Sequence, residues 1–283
     1  MKQSLKKIVC GVLAMTSIVA CSSMFTACET NNPELEIKLV FNDKTYTLAY
    51  EMNRKITPKT VQHIITLADK GYYNDKNICI HNYTASKWYT GAFKYENDEL
   101  VELDYFNVAK SYIPKTVWLD SAKTTPTYTL YGEFEANNFS VEKGALKESF
   151  GSLVMYYTTK SGEDEVYITP NSNANKTALR TYEKNSATSE FYISLSSSTS
   201  KNNNYCVFAT LDSDSVSVLK NLQSAIAEYI EDNYGEEETG GFTEKESVTI
   251  NENDPVVGGN GNTITYDVPN EPIYLKSVKV TKY

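Results

Sequence analysis

Only two stretches of this sequence carry the spacing of a helix, while almost everything around them alternates in short runs. The chain must therefore fold as a sheet with a few helices laid on it. The first helical stretch opens at Thr57-Pro58, places Val61, Ile64, Ile65 and Ala68 on one face, and stops at Gly71. Proline suits the first helical position because the amide it lacks would have no partner there, and glycine accepts the backbone turn that ends a helix. The second stretch follows Ser215, carries Val218, Leu219, Leu222, Ala225, Ile226, Tyr229 and Ile230 at helical spacing, and ends near Gly235. Each has a single apolar stripe, so each packs against something else. Runs at 36–40, 45–50, 78–83, 87–93, 130–134, 153–157, 190–195, 205–211 and 273–283 alternate or are β-branched and aromatic. Such residues fit a pleated, half-buried surface. Many short strands with two helices predict a mainly β fold, a closed barrel or a sandwich with helical caps.

The first residues are of another kind. Lys2, Lys6 and Lys7 precede an uncharged run over 8–20, and Cys21 follows it. That is the layout of a secretory signal, and the run falls short of the roughly 20 residues that a membrane-spanning helix needs. Small or branched residues directly before a cysteine, Ile18-Val19-Ala20-Cys21, resemble a bacterial lipobox; Phe25-Thr26-Ala27-Cys28 is a second candidate. Residues 1–27 are thus read as a lipoprotein signal and lipobox region cleaved before Cys21 or Cys28, 28–34 as a linker and 35–283 as one domain. The location expected is extracytoplasmic, lipid-anchored to a bacterial cell membrane. Each methylene buried in lipid contributes about 0.8 kcal/mol, and more than one acyl chain makes such an anchor stable.

Cleavage removes three lysines and no acid, taking the formal charge from −9 to −12. A surface that acidic repels phosphate backbones and anionic headgroups, so nucleic acid is not an expected partner and membrane contact comes from the lipid alone. Beyond the leader and lipobox, the cysteines are Cys79 and Cys206, both in strand-like segments and read as buried free thiols. His63 and His81 are the two histidines, and no Cys-x-x-Cys or His-x-x-x-His spacing occurs. No metal site and no cofactor are expected. Gly258-Gly259-Asn260-Gly261 lacks the lysine and following helix of a phosphate loop. Polar or acidic stretches near 97–125, 160–186 and 235–262 are read as loop inserts in a monomeric domain.

Taken in order, the segments resemble a known family. ITPKTVQHIITLADKGYY (56–73) followed by ICIHNY (78–83) is similar to the run of Pro-x-Thr-Val, helix, Gly-x-Tyr and His-Arg strand of cyclophilin-type peptidyl-prolyl cis-trans isomerases. YGEF (131–134), GSLVM (151–155), SEFYI (189–193) and YCVFATL (205–211) follow in the family's order. The resemblance implies a closed eight-stranded antiparallel barrel capped by two helices, with peptide bound on an outer face. It implies rotation about X-Pro bonds, whose barrier is about 20 kcal/mol because amide resonance must be broken. The catalyst holds the proline ring in an apolar pocket and donates a hydrogen bond to the twisted amide. Neither a nucleophile nor a general base is required.

Carried across residue by residue, that site is largely rewritten. The family's arginine is Asn82. Counting on from His81 without gaps, its aromatic, methionine and glutamine fall on Lys87, Trp88 and Thr90, with Gly91 matching the next glycine. Met155 matches, and Tyr156 replaces the small residue after it. The glutamine of the Ser-Gln-Phe-Phe-Ile segment is Glu190, Phe191 is retained, and the pocket phenylalanine is Tyr192. The family's histidine is Tyr205. Asn82 and Thr90 are thus the candidate catalytic residues, and Trp88, Met155, Tyr156, Glu190, Phe191, Tyr192 and Tyr205 the candidate peptide-binding ones. An asparagine amide is neutral and shorter than a guanidinium, so slow isomerisation of X-Pro bonds in extracytoplasmic proteins or peptides is expected. The alternative is a non-catalytic peptide- or protein-binding surface lipoprotein on the same barrel. Proline-containing peptides and unfolded secreted proteins are the expected partners.

Overall fold

The computed structural model describes residues 32–74, 77–97, 99–138, 145–157, 165–169, 177–198, 200–235, 241–249 and 263–283. Signal peptide, both lipobox cysteines and most of the linker lie outside the described residues. The chain opens with β1 (Glu34–Phe41) and β2 (Lys44–Met52), joined through Asn42 and Asp43, which both take positive φ, 46° and 58°. Two such residues make the tight turn whose twist matches a hairpin. Leu35, Ile37, Leu39 and Phe41 point inward from β1, and Tyr46, Leu48, Tyr50 and Met52 from β2. Full burial of an apolar side chain of this size contributes about 1.5–3 kcal/mol.

Helix α1 (Pro58–Asp69) follows, with Pro58 in its first turn. Thr57 sits at the cap position but makes no side-chain cap; its hydroxyl donates to Asn53 O at 3.2 Å. The free amides are met from elsewhere in the chain. Glu133, 2% exposed, accepts from Lys59 N (3.1 Å), Thr60 N (2.8 Å) and the Thr60 hydroxyl (2.8 Å). A carboxylate at a helix N-terminus is favoured by the dipole as well as by the orphan amides.

Next come β3 (Asn82–Tyr83), β4 (Lys87–Thr90), β5 (Phe93–Glu96), β6 (Glu99–Glu102), α2 (Tyr105–Tyr112) and β7 (Val117–Trp118). After them lie β8 (Leu153–Met155), β9 (Glu165–Ile168), β10 (Ala178–Thr181), β11 (Phe191–Ser194) and β12 (Val207–Leu211). Helix α3 (Ser213–Tyr234), capped by Asp212, precedes β13 (Thr243–Thr249), β14 (Thr263–Pro269) and β15 (Tyr274–Lys282). Eight strands form one antiparallel sheet in the order β15-β1-β2-β12-β8-β11-β4-β3. Its inner face holds the main core, to which α1, α2 and α3 add Ile64, Ala109 and Leu222 among others.

Three expectations are corrected. The sheet curls but does not close as a barrel: β3 and β15 stay edge strands, and the seam is one isolated bridge, Cys79 to Tyr274, with hydrogen bonds from Ile80 N to Ile273 O and from Leu275 N to Ile78 O. Two residues of β3 are too few to carry a ladder across. Three α-helices, not two, occur among the described residues, because α2 lies in the stretch read as a loop near 97–125. Residues 130–134 form no strand; Leu130 makes an isolated bridge to Ala187 and Glu133 turns to cap α1. The other inserts also hold structure: β9 and β10 with β7 in a three-stranded sheet, and β13, which pairs with β14. Cys79 and Cys206 are free and buried.

Candidate functional site

The two faces of strands β4, β8 and β11 are set by their register. Residues 84–87 form a tight turn, with Thr84 N donating to Lys87 O and Lys87 N to the Thr84 hydroxyl (2.9 Å). The turn pairs Tyr83 with Trp88 and Asn82 with Tyr89. Across the next ladder Phe191 meets Thr90, Tyr192 meets Tyr89 and Ile193 meets Trp88, and on its far side Phe191 meets Met155 and Tyr192 meets Val154. Alternate residues of a strand face opposite ways. Trp88, Thr90, Met155, Phe191 and Ile193 therefore share the inner face, whereas Lys87, Tyr89, Val154 and Tyr192 share the outer one. Gly91 ends β4 at φ +90°, where a Cβ would stand 2.6 Å from Ser189 O. No other residue fits there, so β4 and the segment leading into β11 can approach this closely.

On the outer face, Val154, Tyr192 and Val207 form a small buried cluster with Tyr89 and Leu146 packed on it. Tyr89 lies 5.3 Å from Tyr192 and 5.2 Å, edge-on, from Tyr156. The Lys87 ammonium sits 4.6 Å from the Tyr192 ring centre and 5.4 Å from that of Tyr205, a cation held over two π faces. Tyr192 donates to Glu148 Oε1 at 3.2 Å, and Asn202 Nδ2 donates to Glu148 Oε2 at 2.6 Å. Asn202 Oδ1 in turn accepts from the Asn204 and Tyr205 amides, both at 3.0 Å, which fixes the loop that presents Tyr205. Burial first, then the neighbouring Glu148 charge, pushes the Tyr192 hydroxyl pKa up. Partial burial, followed by the Glu190, Tyr205 and Glu148 charges, pushes that of Tyr89 up to about 12. Both hydroxyls are thus neutral donors at physiological pH. The surface offers ring faces, hydroxyls and one ammonium.

At the other end of this face Asn82, half-buried, accepts at Oδ1 from Asp267 N, 3.3 Å away on β14. Below it Glu190 Oε1 lies 2.8 Å from His81 Nε2, and His81 is fully buried between the rings of Phe93 and Tyr266.

The family model for cyclophilin type peptidyl-prolyl cis-trans isomerase/CLD matches residues 36–251. This chain belongs to that family. Among solved structures it is similar to a cyclophilin type peptidyl-prolyl cis-trans isomerase of Cryptosporidium parvum. That protein aligns at 16% identity over 89% of this chain and 99% of its own, with a TM-score of 0.43. Its structure in the presence of the dipeptide Ala-Pro aligns at 16% identity over 88% and 99%, with a TM-score of 0.41. No curated protein matches the sequence.

Within this cyclophilin-type fold the candidate residues divide. Asn82, Tyr156, Tyr192 and Tyr205 lie on or beside the outer face. Trp88, Thr90, Met155 and Phe191, also expected at the peptide site, face inward instead. All four are at most 1% exposed: Trp88 stacks on Tyr83 at 5.6 Å, Thr90 donates to Cys79 O at 2.8 Å, and Phe191 meets Tyr73 and Phe208 edge-on. Counting without a gap from His81 expects Trp88 and Thr90 on the outer face; the register through the turn at 84–87 sets them inward and Tyr89 outward, and a shift of one residue exchanges the faces of a strand. Tyr89 is the residue this counting missed, together with Glu148, Asn202 and Tyr266. Tyr89 was recoverable from its alternation with Lys87; the other three come from distant loops and strands and carried no local signal. Among the described residues no cluster of His, Cys, Asp and Glu is arranged to hold a metal, and no helix is long and apolar enough to cross a membrane.

Proposed function

We propose that this chain is held at the outer side of the cell membrane by lipid on Cys21 or Cys28. Its domain engages extended, proline-containing segments of exported proteins and rotates their X-Pro bonds slowly. The observation that carries the slow rate is Asn82: it stands where the family has arginine, and its carbonyl oxygen is already engaged by Asp267. Loss of one well-placed transition-state donor costs about 10²- to 10³-fold in rate.

Prolyl-peptide isomerisation by the full chain in detergent, measured beside Asn82→Arg, tests this. Little turnover by the parent and a gain in the variant support it, and rapid turnover by the parent overturns it. Binding without turnover is the second reading. It is favoured by the Tyr192 ring, which is 1% exposed beneath Lys87 and leaves little open pocket for a proline ring. Affinity for proline peptides with no rate enhancement in either protein selects it. For the anchor, lipid labelling lost in only one of Cys21→Ser and Cys28→Ser identifies the acylated residue; labelling of neither parent cysteine refutes it.

A further inference from the structure

The β13–β14 hairpin stands outside the eight-stranded sheet, yet it lies against the position on which catalysis would depend most. Asp267 N reaches Asn82 Oδ1. Its neighbour Tyr266 is 6% exposed, with its ring 5.0 Å from His81 and 5.3 Å from Phe93. His81, against which the ring packs, is itself 2.8 Å from Glu190, and burial first, then the Glu190 charge, raises the Tyr266 hydroxyl pKa. Val268 is buried in the same small cluster as Cys79, Phe93 and Leu100. From the other strand, Glu246 Oε1 accepts from Leu100 N at 2.5 Å and ties the hairpin to β6.

These attachments differ from those inside the sheet. No backbone ladder joins β14 to β3; the attachments are the hydrogen bonds at Asn82 and Glu246 and the small apolar cluster that Tyr266 and Val268 enter. They can open as a unit while β13 and β14 stay paired to each other, and locally weak units of this kind open well below the cost of global unfolding. The covering strand is itself extended and ends at Val268-Pro269, the class of segment assigned above to this face.

We propose that the β13–β14 hairpin is an intramolecular cover of the peptide face, occupying its Asn82 end and swinging off before a peptide can reach Asn82. This rests on the proposed function only in calling the covered surface the peptide face; the cover itself is tested without a peptide. In the full chain carrying Asn82→Cys, alkylation by a maleimide is followed by mass spectrometry on the fragment containing position 82. Cys79, which shares the covered cluster and the fragment, is replaced by serine in every protein compared, and buried Cys206 lies on another fragment. Adding Tyr266→Ala is expected to speed labelling at least tenfold, and adding Glu246→Ala, a milder change that keeps the cluster intact, about threefold. Rates unchanged by both additions overturn the cover. In the accelerated protein a proline peptide should slow labelling again. Acceleration without such protection leaves the cover standing and counts instead against peptide binding at this face.

Discussion

The inner and outer faces of β4, β8 and β11 are built from adjacent residues of the same strands, and they have kept very different amounts of the family's character. Inward, Met155, Phe191 and Phe208 keep the residue types of the motifs GSLVM, SEFYI and YCVFATL that carry the resemblance, and each is at most 1% exposed. Outward, Asn82, Tyr192 and Tyr205 stand where the order of the motifs along the chain leads one to expect the family's arginine, pocket phenylalanine and histidine. An inward residue is constrained by everything it touches, since a close-packed interior tolerates neither a void nor an added methylene cheaply. An outward residue is constrained by what the surface binds. The recognisable motifs therefore report the fold, and the replaced residues report the chemistry.

The comparison breaks most visibly at the pair Phe191 and Tyr192. Phe191→Ala empties a site lined by Tyr73, Phe208 and Met155 and should cost about 3–5 kcal/mol of stability in denaturant unfolding. The folded fraction should bind any peptide ligand as the parent does. A loss of affinity in that fraction, with little loss of stability, would show that the faces have been assigned the wrong way round.

The next effect concerns charge on the inner side. Burial pushes the Glu133 carboxyl up to about 7 from its ordinary 4.5, against the opposing pull of the Thr60 and Lys59 amides, the Thr60 hydroxyl and the Lys59 charge. Between those two values the folded state keeps a proton that the unfolded chain has released. Stability is then fullest below about pH 4.5 and falls as pH rises to about 7, by on the order of 3 kcal/mol. Glu133→Gln keeps one acceptor for the α1 amides and removes the titration. Its unfolding free energy should be flat over that window, measured by denaturant midpoints at several pH values; an unchanged slope would assign the pH dependence to another group.

Sequence alone located the helices at 57–71 and 215–235 and most strands of the large sheet, because those elements bury one continuous stripe or alternate cleanly. It missed α2, which spans eight residues and buries just Tyr105 and Ala109. It also missed β13, where TEKESVT shows no apolar alternation and the strand exists through its pairing with β14. The open seam was hidden because β3 reads as the end of a longer run, 78–83, whose first part turns to meet β15. At the site, Asn82 and the tyrosines could be found by order along the chain. The face taken by each residue of β4 could not be fixed by that order, because it depends on the register set through the turn at 84–87.

The smallest effect is the most discriminating. Tyr192→Phe leaves the ring between Tyr89 and Lys87 and removes only the hydroxyl that donates to Glu148. Glu148 retains the shorter bond from Asn202, so its charge is not left without a donor. The stability cost should be about 1 kcal/mol, a shift of about 2–4 °C in Tm. On a surface with no binding role nothing else changes. On a peptide face the hydroxyl oxygen, its one proton committed to Glu148, is also an acceptor for a bound backbone amide, and its loss should weaken proline-peptide affinity about tenfold, which is about 1.4 kcal/mol. Titration of parent and variant with the same peptide separates these outcomes: equal affinity would reduce the outer tyrosines to packing, whereas a selective loss would make Tyr192 a contact residue and leave Phe191, one position away, purely structural.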